Sequence, residues 1–133
     1  MCKFCEKYVL LQRLRCHIAK HIIKKEIKKH AHLCGFCGSI GCSLELIVTS
    51  GKGKKKNYVP KSDCKYFRSF SFKCAEKTSG SCTNRPIHCP ICNNLYWSYN
   101  LESHYESCHS RFLKDLPKQI SDEEALSLLK SNY

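Results

Sequence analysis

No apolar stretch in this sequence approaches the length that spans a membrane. The opening, MCKFCEKYVLL, has neither the basic segment nor the apolar core of about 7 to 15 residues that mark a secretory signal. The expectation is a chain kept in a reducing compartment, with no membrane as partner. Acid is scarce too: 11 Asp and Glu stand against 23 Lys and Arg, a formal net charge of +12. Enzyme signatures are missing as well. A zinc deaminase needs HxE followed by PCxxC, and no HxE precedes the HCPIC of this chain. A nuclease needs a carboxylate pair or an HNH-like constellation, and neither is evident. The expectation is a protein that is not an enzyme and has no small-molecule substrate. Set the cysteines aside, and the 42% of hydrophobic residues becomes a thin stock for one core.

Cysteine is what the chain does hold, twelve in 133 residues. Where disulfides are disfavoured, metal thiolates are the usual reason for such density, so zinc is expected first and disulfides second. A long-range repeat sharpens this. Sliding CKFCEKYVLLQRLRCHIAKH by 87 residues onto CPICNNLYWSYNLESHYESC lays Cys2, Cys5, Leu14 and His17 on Cys89, Cys92, Leu101 and His104. Both copies read CxxC, eleven residues, His. CxxC on a tight turn aims two sulfurs at one point, while His at i and i+4 lie one turn apart on one helical face. Leu14 and Leu101, three positions before the first His, pack helix onto turn. This is the ββα finger pattern with a gap one residue shorter than the usual twelve. In the first copy the ligands are Cys2, Cys5, His17 and His21. In the second, the fourth ligand is His109, which restores a two-Cys, two-His set, or Cys108, which the repeat alignment favours.

Between the fingers, Cys34 and Cys37 form a further CxxC, with Gly35 and Gly38 suited to its turn. CSLELIVTS and NYVPKSDCKYF flank GKGKKK and read as a hairpin. With its turn centred on Gly53, Cys42 and Cys64 lie eleven residues to either side and face one another at the open end. Cys42 also alternates in phase with Leu44, Leu46 and Val48, as an apolar member of a buried strand face would. The middle site is therefore read as Cys34, Cys37, Cys64 and Cys82, with Cys42 the nearest substitute and Cys74 a free thiol. A ribbon-like site joining Cys34 and Cys37 to Cys89 and Cys92 would leave His104 and the repeat unexplained. A RING cross-brace lacks its CxH and HxxC pairs.

The order CHIAKHI, CGFCG, DCKYF, CTNRPIHCPIC, WSYNLESHYESCH resembles an expanded group of uncharacterised fungal proteins with C2H2-type zinc fingers, over most of residues 2 to 110. The resemblance implies Cys2, Cys5, His17, His21, Cys89, Cys92, His104 and His109 as ligands. It also singles out Cys34, Cys37, Cys42, Cys64 and Cys82, leaving Cys74 as an extra.

The expected fold is a small, zinc-stabilised α+β chain: two ββα-like C2H2-type fingers flanking a central β-hairpin zinc module. Its parts are a finger with an extended basic helix (1–30), the cysteine-rich module (31–86), a second C2H2 or C2HC finger (87–112) and a C-terminal helix (113–133). Each module is near or below the size at which an apolar core suffices alone, so three closed zinc ions and folding are expected to be coupled.

The positive charge sits in the first two thirds. Residues 1–30 carry nine basic and two acidic side chains, 31–86 ten and three, and 87–133 four and six: +7, +7 and −2. Three zinc ions (+6) and eight or nine thiolates leave about +9 or +10, so a polyanion is the natural partner. At the positions that read bases in DNA-binding fingers stand Leu10, Gln12, Arg13 and Cys16 in the first copy, and Trp97, Tyr99, Asn100 and Ser103 in the last. Arg13 and Gln12 suit guanine and adenine. YWSYN reads as a packing cluster before a base-stacking one. IIKKEIKKHAH is read as an extension of the first helix, with Lys20, Lys24, Lys25, Lys28 and Lys29 largely outside its Ile face. With Lys52, Lys54, Lys55 and Lys56 these lysines point to phosphates and to nuclear import. The leading expectation is a nuclear, zinc-binding, nucleic-acid-binding protein, DNA ahead of RNA. The alternative is a protein-interaction module using the aromatic last finger and the C-terminal helix, whose start Ser121 and Glu124 mark as a capping box.

Overall fold

The computed structural model describes residues 2–50, 53, 56–76 and 82–130. Over the described residues the protein is a small α+β fold with two short antiparallel sheets and three cysteine/histidine clusters. The first helix, α1 (Leu14–Ile23), follows a 3-10 turn at Leu11–Arg13. The middle segment forms a hairpin of β1 (Glu45–Ser50) and β2 (Lys56–Lys61), then a single helical turn, α2 (Phe72–Ala75). Next come β3 (Pro86–His88) and β4 (Leu95–Trp97), a 3-10 turn at Ser98–Asn100 and α3 (Leu101–Cys108). The last helix, α4, spans Asp122–Lys130. Among the described residues no helix is long and apolar enough to cross a membrane.

The two fingers expected to be alike match only in part. The last module runs strand, strand, helix, whereas among the described residues no strand precedes α1. What does repeat is the approach to the helix: Leu11–Arg13 then Leu14, and Ser98–Asn100 then Leu101, are 87 residues apart, like the ligands.

Helix α1 does not extend through the basic segment. Lys25 adopts φ 59°, its N–H donates to Ile22 O (3.1 Å), and the Glu26 N–H donates to His21 O (3.0 Å). These two bonds with a left-handed residue between them form a Schellman cap, which closes the last carbonyls and turns the chain away. Lys24, Lys25, Lys28 and Lys29 are exposed on the cap and the loop after it rather than along a helical face.

The hairpin pairs Glu45 with Lys61 through Ser50 with Lys56, a register centred on Gly53 (φ 77°) as the sequence predicts. At its open end the Ser43 N–H donates to the Asp63 carboxylate (2.6 Å) and the Asp63 N–H donates to Ser43 Oγ (3.0 Å). The register therefore continues toward Cys42 and Cys64.

Burial is divided among four small clusters, and each contains a cysteine. Trp97 (4% exposed) links modules: its ring lies against Phe36 and Phe70, at centroid distances of 5.8 and 6.0 Å. A Cβ on Gly35 would sit 2.7 Å from that ring, so glycine is needed there for the close approach. Asn100 donates to Leu33 O (2.7 Å) at the same seam. Helix α4 docks on α1 through Leu128, against Cys16 and Ala19. The Ser121 hydroxyl caps α4 by accepting from the Glu124 N–H (3.1 Å). The Glu124 side chain departs from the capping box. It turns inward and accepts from the Thr83 N–H (2.6 Å), Thr83 Oγ1 (2.7 Å) and Tyr99 OH (3.1 Å). Three donors in a buried place outweigh one backbone amide at the surface.

Candidate metal centres

Each cluster begins with the same turn. Cys2 donates its N–H to Lys7 O (2.9 Å) and Glu6 to Cys2 O (2.8 Å); Cys34 and Ser39 (2.8 Å), Gly38 and Cys34 (2.9 Å), Cys89 and Asn94 (2.8 Å), Asn93 and Cys89 (2.8 Å) repeat the pair. The residue after the second cysteine has positive φ every time: Glu6 61°, Gly38 71°, Asn93 61°. The turn leaves both sulfurs on one side, which is the local reason CxxC recurs.

At the first centre α1 supplies both histidines; at the last, α3 supplies His104, and His109 follows its end. Cys2, Cys5, His17 and His21 form one group, and Cys89, Cys92, His104 and His109 another, with the ligand atoms of each group all within 4.8 Å of one another. At the first, Cys5 Sγ lies 3.3 Å from His17 Nε2, Cys2 Sγ 3.6 Å from His21 Nε2, and the two Nε2 atoms 3.2 Å apart. His21 Nδ1 meets the Glu26 carboxylate at 3.2 Å. With that nitrogen donating, the His21 lone pair is on Nε2, inside the cluster. At the last centre Cys92 Sγ is 3.3 Å from His104 Nε2. Burial, and then the neighbouring His109, hold His104 below its usual range, so it is a neutral imidazole at pH 7. His109 Nε2 is buried and, among the described residues, has no hydrogen-bond partner. The geometry selects His109 over Cys108, which is exposed at the end of α3.

The middle centre differs from the expected set. Cys34, Cys37, Cys42 and Cys64 come together, with Cys37 and Cys42 sulfurs 3.7 Å apart. Cys82 is not among them. Its sulfur accepts from the Arg15 guanidinium at 3.1 Å, beside the Cys82 and Asn84 carbonyls that the same guanidinium binds at 3.0 and 2.6 Å. Cys82 also packs on Cys16 in the α1–α4 seam. The hairpin register delivers Cys42 opposite Cys64, and Arg15 holds Cys82 elsewhere. In the middle group burial pushes the Cys34 thiol up, and burial followed by the bond with Cys37 pushes Cys42 to about 12. Cys37 is lowered, the hydrogen bonds from Ser39 and Cys42 outweighing its burial. Four sulfurs this close cannot all ionise without a cation among them. Each of the three clusters could hold one metal ion.

The residues expected to meet nucleic acid are scattered. Gln12 and Arg13 are exposed on the turn before α1, Lys20 is half-buried, and Lys24, Lys25, Lys28 and Lys56 are exposed. Lys24 lies 3.9 Å from Glu26, and Lys29 3.9 Å from Glu102. Lys52, Lys54 and Lys55 lie outside the described residues. The base-reading positions divide: Leu10, Gln12 and Arg13 are exposed, whereas those of the last helix are mostly internal. Cys16 is buried under α4, Trp97 and Asn100 are buried, and the Tyr99 hydroxyl is bonded to Glu124. No protein-family model, no curated protein and no solved structure matches the chain.

Proposed function

We propose that this is a zinc-organised, non-enzymatic protein of the nucleus that binds nucleic acid, DNA in preference to RNA, through phosphate contacts. The observation that carries the zinc assignment is the spacing of the ligand atoms. A tetrahedral ion with Zn–S about 2.3 Å and Zn–N about 2.0–2.1 Å requires edges of about 3.3–3.4 Å between nitrogens, 3.5 Å between nitrogen and sulfur and 3.8 Å between sulfurs. The clusters offer 3.2 Å, 3.3 to 3.6 Å and 3.7 Å for the same pairs. Zinc would be held by Cys2, Cys5, His17 and His21; by Cys34, Cys37, Cys42 and Cys64; and by Cys89, Cys92, His104 and His109. When bound it supplies cross-links between turn and helix or hairpin. With four protein ligands each, the sites keep no open position of the kind that zinc catalysis uses.

The nucleic-acid reading rests on the +12 charge and its concentration in residues 1–86. The burial of Trp97 and Asn100 argues for backbone contact rather than groove reading by α3. The same burial weakens the protein-docking alternative, since Trp97 already serves as an anchor inside the chain. Binding of the zinc-loaded protein to duplex DNA and to RNA across a salt series tests the proposal. If six to eight phosphates are met, log affinity falls with log salt at a slope of about −5 to −7. Salt-insensitive binding, or none to either nucleic acid, would overturn it.

A further inference from the structure

Among the described residues, the β1–β2 hairpin leaves one whole face exposed. Cross-strand partners share a face, and successive residues alternate between faces. One face carries Leu46, Val48, Ser50, Lys56, Tyr58 and Pro60, and it is tied down at its base: Pro60 is buried and Tyr58 lies 5.2 Å from Phe72. The opposite face carries Glu45, Ile47, Thr49, Asn57, Val59 and Lys61, and all six are exposed. Two strands of six residues at about 3.4 Å each give a ribbon about 20 Å long. The major groove of duplex DNA, about 12 Å wide and 8.5 Å deep, admits either a helix or such a two-stranded ribbon. Of the reading positions on the zinc-associated helices, Cys16, Trp97 and Asn100 are buried, while Leu10, Gln12 and Arg13 stay exposed.

Charge identifies the occupant. Residues 45–61 contain Lys52, Lys54, Lys55, Lys56 and Lys61 against the single acid Glu45. An added protein strand is disfavoured along β2, where Pro60 has no N–H to donate and lysines stand at both ends. Among the described residues the Asn57 amide has no partner, and it lies directly across from Thr49. An Asn amide pairs with the N6 and N7 edge of adenine, and a Thr methyl packs on thymine.

Resting on the nucleic-acid reading above, we infer that the exposed face of the β1–β2 ribbon enters the major groove of duplex DNA. Asn57 and Thr49 lie toward the base edges, Ile47 and Val59 exclude water behind them, and Lys61 on the same face and Lys56 at the start of β2 on the other reach the flanking phosphates.

The test uses the full zinc-loaded chain and a mixed-sequence duplex, read by anisotropy over a salt series and by dimethyl sulfate protection of guanine N7 in the major groove. The wild type should protect N7. Lys56→Gln with Lys61→Gln should make the salt slope shallower by about 1.8, at about 0.9 per phosphate contact. Val59→Glu should weaken binding at least tenfold and abolish N7 protection, while Arg111→Gln with Lys114→Gln leaves protection in place. All of these positions are exposed, and an unchanged melting temperature and metal content establish that each variant folds. No duplex binding by the wild type would remove the nucleic-acid reading itself. Wild-type binding that both ribbon variants leave unchanged, or a ribbon-dependent doubling of mass with DNA affinity intact, would overturn the ribbon inference alone.

Discussion

Replacing Trp97 with alanine separates packing from ligand contact. Trp97 is 4% exposed, lies against Phe36 and Phe70, and covers Gly35 so closely that no side chain fits there. Truncating a buried Trp to Ala costs about 3–5 kcal/mol, and this site should fall within that range because the ring is buried against aromatic neighbours from two segments. With an unfolding entropy of about 2.1 cal/mol/K per residue over the 133-residue chain, Tm should drop by about 10–18 °C. The assay is a thermal melt by circular dichroism at saturating zinc, paired with DNA titration well below the variant's Tm. The folded fraction should bind DNA within about twofold of wild type, since the ring faces the protein interior. A Tm shift under about 3 °C together with a large loss of affinity would show that the aromatic cluster serves a ligand, and the reasoning would fail.

Three further outcomes follow from the centres. Cys42→Ser should lower the bound metal count by one, whereas Cys82→Ser should leave it unchanged; native mass spectrometry reads both. Glu26→Gln, which weakens the hydrogen bond orienting His21, should reduce affinity at the first centre by about 10- to 100-fold in chelator competition. Burial raises the Cys34 and Cys42 thiols within the fold, and the ordinary range of a thiol in an open chain also lies above neutral, so both are protonated before metal binds. Loading the middle centre must therefore release protons, and its affinity should rise with pH below those raised values; an affinity flat between about pH 6 and 8 would contradict this.

The three knuckles and the hairpin were legible because their causes are local. CxxC brings its own turn, the i to i+4 histidines need only one helix, and Gly53 with its flanking strands sets a register that the structure keeps. Period-2 alternation misled at Cys42, because β1 begins at Glu45 and the cysteine lies before it, past the Ser43 and Asp63 clamp. The fate of Cys82 depended on Arg15, 67 residues away, and no local pattern records that contact. The end of α1 was hidden for a different reason: Lys25 takes the left-handed conformation without the glycine that usually signals it. The covering of Cys16 and Tyr99 is tertiary as well. Cys16 meets Leu128 and Tyr99 meets Glu124 only once α4 has docked. The Tyr99 hydroxyl is pushed above its usual range, first by burial and then by the Cys82 sulfur, so it stays protonated and able to donate.

The most direct measurement is metal stoichiometry joined to folding: native mass spectrometry of the purified chain, then circular dichroism during titration with a zinc chelator. The account predicts three zinc ions per chain and loss of ordered structure as they are withdrawn. A chain that carries fewer than three, or keeps its fold and melting transition with all metal removed, would contradict it.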